Sequence, residues 1–222
     1  MNITDKSQHD PVTDIKMPGS HLRSALLATE EVVGKQGMAV ILRQAGLDHL
    51  IDNYPPDESH ISGDYSFDDY SKLNAALLSF LGRGGRSVAM RIGRKAYKVG
   101  ESQFNTAVGG AATAALRLLP ESIRLLKGVE LMKLAFDMMY RQPGTHIVFR
   151  VEDRGDRIAF IAETCGICAG KVSDEHMCQL FAGLLQEGVV STFGKEHAIQ
   201  EVECRANGAP ACVWEISKIA KE

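Results

Sequence analysis

The hydrophobic positions follow a helical period in the first two thirds of the chain. Apolar residues recur every three or four positions from residue 22 to residue 142, except in a polar loop at about residues 53–65, and further breaks are expected at Gly100 and Pro120. Ser66 stands three residues before Asp69, which predicts a helix that is capped at Ser66 and stopped by Gly82. This part of the chain is therefore predicted to be helical.

After residue 143 apolar and polar positions alternate, as in half-buried strands. We predict a hairpin over residues 147–164, a helix over residues 173–194 with Ser173 as its N-cap, and a second hairpin over residues 198–217. Strands joined by short turns need no crossover helix. Helices followed by a ββαββ order predict an α+β fold in which N-terminal helices pack on an antiparallel sheet.

The first residues and the charge balance narrow the classes of function. Residues 1–20 are polar and lack an apolar run of signal-peptide length, so we predict a disordered leader there and a single domain over residues 21–222. A net charge of -3 argues against nucleic acid as a partner. No apolar run approaches the roughly 18 residues of a membrane span. The protein is expected to be cytoplasmic.

Four residues of the last third are candidates for a metal site. A turn between Cys204 and Cys212 would place these thiols opposite each other on neighbouring strands, and Cys178 lies in the preceding helix. Three thiolates and a carboxylate from Glu201 or Glu203 would complete a closed tetrahedral shell, which is typical of zinc. Regular strand alternation points both glutamates away from the Cys204 face, so only a bulge or a frayed end brings Glu201 in. The residues alone leave a metal site and small buried thiols as equal alternatives.

A second pair of thiols occurs in Cys165-Gly-Ile-Cys168, between a predicted strand and a predicted helix. Such a pair can bind a metal, cycle as a dithiol, or tighten a loop. Five cysteines are too few for a disulfide scaffold. Cys165 and Cys168 therefore form a possible second thiol site.

The helical region has two features that bear on a ligand pocket. Residues 109–115 are small, and Met132, Met138 and Met139 give one helix a soft apolar surface. Both features suit an adaptable pocket, but plain packing is the default interpretation of each.

The last third resembles the signature of the 4-vinyl-reductase-type domain, a hydrocarbon-binding family. The resemblance covers residues 145–218 and rests on Cys178-Gln-Leu-Phe-Ala-Gly-Leu-Leu, Glu201-Val-Glu-Cys204, Gly208 and Cys212-Val-Trp-Glu. It implies a fold similar to subunits of the TRAPP transport complex and to NO-signalling ligand-binding domains. It also implies a zinc ion on Cys178, Glu201, Cys204 and Cys212. Pairs like Cys165 and Cys168 occur in photosynthesis-associated members of the family.

The resemblance also implies a function. We expect a zinc-containing carrier or sensor that binds a hydrocarbon, an aromatic compound or a tetrapyrrole such as a bacteriochlorophyll precursor, and that forms a homodimer. One alternative is a 4-vinyl reductase, or an accessory enzyme, of chlorophyll synthesis. Another is an interaction subunit like the TRAPP proteins. The sequence has no nucleophile motif and no dinucleotide-binding glycine motif after a strand, so binding is expected rather than catalysis.

Overall fold

The computed structural model describes residues 2–108, 115–116 and 118–221, without the side chains of residues 103–108 and 121–122. Its longer helices are α1 (Gly19–Ala45), α2 (Phe67–Leu81), α3 (Gly85–Val108), α4 (Glu121–Met139) and α5 (Gln179–Phe193). Its strands are β1 (Ile3–Asp5), β2 (Phe149–Asp153), β3 (Arg157–Ala162), β4 (Lys171–Ser173), β5 (His197–Glu203) and β6 (Cys212–Ala220).

The last third forms a four-stranded antiparallel sheet in the order β2-β3-β6-β5. The two hairpins, β2-β3 and β5-β6, meet along β3 and β6, where Phe160 pairs with Trp214. Both side chains are fully buried against the helices. The α+β class and the ββαββ order of the sheet-forming region are confirmed.

The capping sequence before α2 forms as predicted. The Ser66 N–H donates to the Asp69 carboxylate at 2.8 Å, and the helix ends at Leu81, just before Gly82. The side chains of Leu73 and Leu77 are fully buried. Local capping and apolar spacing therefore determine this helix.

Two other helix boundaries differ from the prediction. Helix α3 runs through Gly100, because this glycine faces Ser24 of α1 and eases the close approach of the two helices. Helix α5 begins at Gln179 instead of near Ser173, because Ser173 belongs to β4. Strand β4 exists through its pairing with β1, far away in sequence. Local patterning cannot reveal such a partner.

The leader, predicted to be disordered, is packed in the structure. Ile3 pairs with Ser173 in the β1-β4 sheet, and Lys16 forms a β-bridge with Ser66. Met17 is fully buried. The prediction of disorder was wrong because the apolar and hydrogen-bonding partners of this polar segment lie in distant parts of the chain.

Two further predictions concern the small-residue run and membrane-spanning helices. Residues 109–114 of the small-residue run lie outside the described residues. Among the described helices, none combines the length and the apolar composition that a bilayer crossing requires.

Candidate metal centre

Five cysteine sulfurs and one carboxylate gather in a single buried cluster. Its members are 0 to 3% exposed: Cys165, Cys168, Cys178, Glu201, Cys204 and Cys212. Cys178 is central, with its sulfur 3.7 Å from that of Cys165, 3.9 Å from that of Cys204 and 3.8 Å from that of Cys212. The sulfurs of Cys168 and Cys212 are 3.4 Å apart. All five cysteines are free thiols.

Cys178 is placed by the start of α5. It is the N-cap residue, and its carbonyl accepts from the Phe181 and Ala182 N–H groups of the first helical turn. Its own N–H donates to Glu201 Oε2 at 2.9 Å. This hydrogen bond therefore links the N-terminus of α5 to the Glu201 side chain of β5.

Glu201 enters the cluster through an irregularity in β5. The register shifts between Glu201, which pairs with Trp214, and Glu203, which pairs with Val213. Two steps along β5 therefore match one step along β6, as in a β-bulge. Glu201 is 2% exposed, whereas Glu203 points to solvent. The bulge that the sequence requires for Glu201 to join Cys204 is present.

Only one of the two carboxylate oxygens of Glu201 accepts hydrogen bonds from the described residues. Oε2 also accepts from Gln179 Nε2 at 3.0 Å, but the buried Oε1 has no hydrogen-bond partner among the described residues. Burial, and then the negative charge of the Cys204 thiolate, raise the pKa of Glu201 to about 10. Without a cation beside it, this buried group is therefore a neutral acid at neutral pH, and a bound cation would favour its charged form.

The two hairpin cysteines are positioned by a tight connection. A 3-10 turn (Arg205–Asn207) follows Cys204 and ends at Gly208, whose φ of 91° suits glycine. The Arg205 N–H then donates to the sulfur of Cys212 at 3.3 Å. Cys212 starts β6 opposite Ala162, at the end of β3.

Cys165 and Cys168 join the same cluster from another direction. Cys165 precedes the 3-10 turn Gly166–Cys168 and Cys168 ends it. Gly166 packs so closely on Phe67 that an added Cβ would lie 2.6 Å from that ring. The buried Asn74 of α2 donates from Nδ2 to the carbonyls of Ile167 (3.3 Å) and Met177 (3.0 Å). Asn74 therefore holds the two cysteine-bearing segments side by side.

The donors fall into two sets of four in which all ligand atoms lie within 4.8 Å of one another. One set is Cys165, Cys168, Cys178 and Cys212, and the other is Cys178, Glu201, Cys204 and Cys212. Thiolates about 2.3 Å from a tetrahedral ion lie about 3.8 Å apart. The sulfur–sulfur distances given above match this spacing, so the donor set fits a metal ion without large movement.

The second set contains the four residues that the sequence analysis selected. The possible second thiol site is not separate, because Cys165 contacts Cys178 and Cys168 contacts Cys212, and both partners belong to the second set. Sequence reasoning missed Asn74 and the buried pair of Asp10 with Arg205, whose Nη2 lies 3.2 Å from both carboxylate oxygens. No local signal marks these residues, because each acts on a segment distant in sequence.

Comparisons with solved structures identify the fold. An Fe(II) unliganded H-NOX protein from K. algicida is similar in structure, with 15% identity and a TM-score of 0.57, and the match covers 93% of this chain and 97% of that chain. An oxygen-binding H-NOX domain related to soluble guanylate cyclases has 16% identity and a TM-score of 0.53, covering 93% and 96%. A structure from work on heme distortion in the H-NOX family has 16% identity and a TM-score of 0.53, covering 90% and 94%. This chain has the H-NOX fold.

Sequence comparisons add no family. No protein-family profile matches the chain, and no curated protein matches its sequence. The resemblance to the 4-vinyl-reductase-type domain therefore stays a hypothesis. The expectation of a zinc cofactor, which that resemblance implied, was wrong: the similar structures are an Fe(II) H-NOX protein and an H-NOX protein studied for its heme distortion. The expectation came from short cysteine motifs that no family profile supports.

Heme does not fit between the helices and the sheet in the described part of this chain. The rings of Phe136, Phe160, Phe181 and Trp214 fill that space, with centroids 4.6 to 6.3 Å apart. The cavity that touches Phe181 and Trp214 measures about 20 Å³, far below the roughly 300–1,000 Å³ of pockets for ligands of drug size. A cavity of about 620 Å³ lies apart from these four rings, beside Phe193, His197 and Lys218. No chemistry through heme is assigned to this chain.

Proposed function

We propose that this chain is a small-molecule-binding domain of the sensor or carrier type, with a buried thiolate–carboxylate metal centre as its structural anchor. One observation carries the metal centre: Cys178, Glu201, Cys204 and Cys212 converge with all ligand atoms within 4.8 Å. The unpartnered Oε1 of Glu201 supports it, since a cation would satisfy this buried oxygen. The H-NOX fold, used for ligand binding in the similar structures, supports the domain's general role.

The centre is proposed to be structural. Its donors come from the start of α5 and from the β5-β6 hairpin, so an ion would tie these elements together. All four donors are at most 2% exposed, and together they complete a tetrahedral shell. A closed shell leaves no position for a substrate. The ion would therefore contribute to folding stability and not to catalysis.

The proposed ligand is a small apolar molecule with a hydrogen-bond acceptor. Tyr70 lines two cavities of about 20 Å³ each, one beside His21 and Met139, the other beside Phe181 and Trp214. The Tyr70 hydroxyl and Trp214 Nε1 are buried without hydrogen-bond partners among the described residues. Two such donors favour an acceptor atom on an otherwise apolar ligand.

The other inferences from the family resemblance stay predictions. These are the tetrapyrrole ligand, the homodimer and the cytoplasmic location, together with the reductase and interaction-subunit alternatives. A tetrapyrrole meets the same obstacle as heme, because the aromatic rings occupy the space that a macrocycle needs.

The test is native mass spectrometry with elemental analysis of all transition metals on protein purified without added metal. We expect at least one thiophilic ion per chain and a co-purifying apolar molecule. Cys204→Ser and Glu201→Gln each remove a donor with little change of volume, and each should lower the metal content and the melting temperature.

Met177→Leu is the matched control. Met177 is fully buried beside Cys178 but contributes no donor to either ligand set, so this volume-conserving change should keep the metal. Well-folded wild-type protein that neither carries nor takes up an ion would refute the metal centre. A metal-bearing protein with no extractable apolar molecule would refute the ligand-binding role instead.

A further inference from the structure

The two ligand sets of the cluster share two members. Cys178 and Cys212 belong to both sets, and their sulfurs are 3.8 Å apart. Two tetrahedra that share an edge have this arrangement, with the shared pair as bridging ligands. Thiolate sulfur has several lone pairs and bridges metal ions readily, whereas a neutral thiol does not.

A single ion leaves buried donors unused in either position. If it takes the all-cysteine set, Glu201 stays buried with its Oε1 unpartnered. If it takes the set with Glu201, the Cys165 and Cys168 thiols stay idle although both are within 4.8 Å of the bridging sulfurs. Only two ions use all six donors.

We propose that the cluster binds two thiophilic metal ions bridged by the sulfurs of Cys178 and Cys212. Cys165 and Cys168 complete one tetrahedral shell, and Cys204 and Glu201 complete the other. This inference rests on the proposed metal centre and extends it. It gives the Cys165-Gly-Ile-Cys168 segment a role as the terminal ligand pair of the second ion.

The charges of the site favour two cations over one. Five thiolates and one carboxylate carry six negative charges, and two divalent ions reduce this to two. Each ion displaces thiol protons to the solvent, so the ligands enter as anions and the loaded cluster keeps a net charge of -2. The Arg205 N–H to Cys212 and the Cys178 N–H to Glu201 are two donors already directed at the ligand atoms. The guanidinium of Arg205 is also largely buried nearby.

The experiment counts ions directly, with Cd²⁺ as the probe. Metal-free, fully reduced protein is titrated with Cd²⁺ in the absence of oxygen. The titration is monitored by the sulfur-to-cadmium charge-transfer absorption, by elemental analysis and by cadmium NMR. We expect two Cd²⁺ per chain and two resonances of different donor composition. The double variant Cys165→Ser/Cys168→Ser should bind one, and so should Cys204→Ser/Glu201→Gln. Met177→Leu should still bind two.

The outcomes separate this inference from the proposed function. One Cd²⁺ per chain in the wild type would overturn the two-ion site and leave the metal centre intact. No bound Cd²⁺ would overturn both. The wild-type count decides the inference even if a double variant fails to fold.

Discussion

His21 is a buried histidine near the start of α1. Its Nδ1 lies 3.2 Å from the sulfur of Met139 and 3.1 Å from the Tyr140 hydroxyl, and its ring meets that of Tyr70 edge-on. Burial lowers the pKa of His21 to about 4. The ring is therefore neutral in the folded protein at physiological pH, and protonating it opposes folding.

The stability of the protein should fall as the pH drops from about 6.5 to 4. The unfolded chain takes up a proton on His21 near its ordinary pKa, about 6.5, whereas the folded protein resists until about pH 4. The stability contribution is fully present above pH 6.5, and its loss approaches about 3 kcal/mol at pH 4. Urea unfolding across this range should give a flatter profile for His21→Gln. His60→Gln, which removes an exposed histidine, is the control. Identical profiles for His21→Gln and wild type would contradict the assignment.

Helices α3 and α5 cross in backbone contact at two glycines. A Cβ added at Gly93 would lie 1.8 Å from the Leu180 carbonyl oxygen, and one added at Gly183 would lie 1.9 Å from that of Met90. No side chain can yield at either place, because the obstacle is backbone. This crossing sets the position of α5, and thereby the position of Cys178.

Gly183→Ala should destabilise the protein by about 1–3 kcal/mol or more, because the two helices must separate. It should also weaken metal binding by displacing the start of α5. Gly188→Ala is a matched control in the same helix, where the nearest obstacle, at 2.4 Å, is the flexible end of Met132. Denaturant midpoints measure both changes. Equal midpoints for the two variants would show that the crossing tolerates a side chain.

At the scale of the whole molecule, the N-terminal segment around Asp10 packs on the cysteine region and is bound to it by hydrogen bonds. Asp10 accepts from Lys6 at 2.8 Å and from the Gly170 N–H at 3.1 Å, and it pairs with Arg205 beside Cys204. Burial by itself would raise the pKa of Asp10, but the hydrogen bonds from Lys6, Gly170 and Val12 and the charge of Arg205 together outweigh it and hold this pKa well below its usual range. Asp10 thus links three distant parts of the chain.

Asp10→Ala should loosen this segment, because Arg205 loses its carboxylate partner in a buried setting. We expect the thiols of the metal-free variant to react with a disulfide reagent at least tenfold faster than those of the metal-free wild type. A tenfold increase corresponds to a decrease of about 1.4 kcal/mol in the free energy of the local opening that exposes the thiols. Asp14→Ala removes a carboxylate of the same segment that pairs only with the exposed His9 among the described contacts, so it serves as the control. Unchanged labelling by Asp10→Ala would show that the segment does not protect the cluster.

Several parts of the fold and site could be predicted from local sequence. The Ser66 capping residues, the change of period after residue 143 and the turn between Cys204 and Cys212 each depend on neighbours in the chain. The sequence did not decide whether the Glu201 side chain joins the cysteines, because this orientation requires a β-bulge, and the alternation of apolar and polar residues cannot locate a bulge. The bulge depends on how β5 fits against β6 and the start of α5, which is a tertiary matter.

The sequence by itself determined the α+β class, the ββαββ order and four donors that the structure brings together. These follow from periodicity, turn residues and the chemistry of cysteine, which act over short stretches of chain. Only the tertiary structure decided that Cys165 and Cys168 join that set, that the leader packs over the cysteine region, and that aromatic rings fill the space between the helices and the sheet. The physical reason is the same in each case: the deciding contacts join segments far apart in sequence, such as Asn74 with Met177 and Asp10 with Arg205.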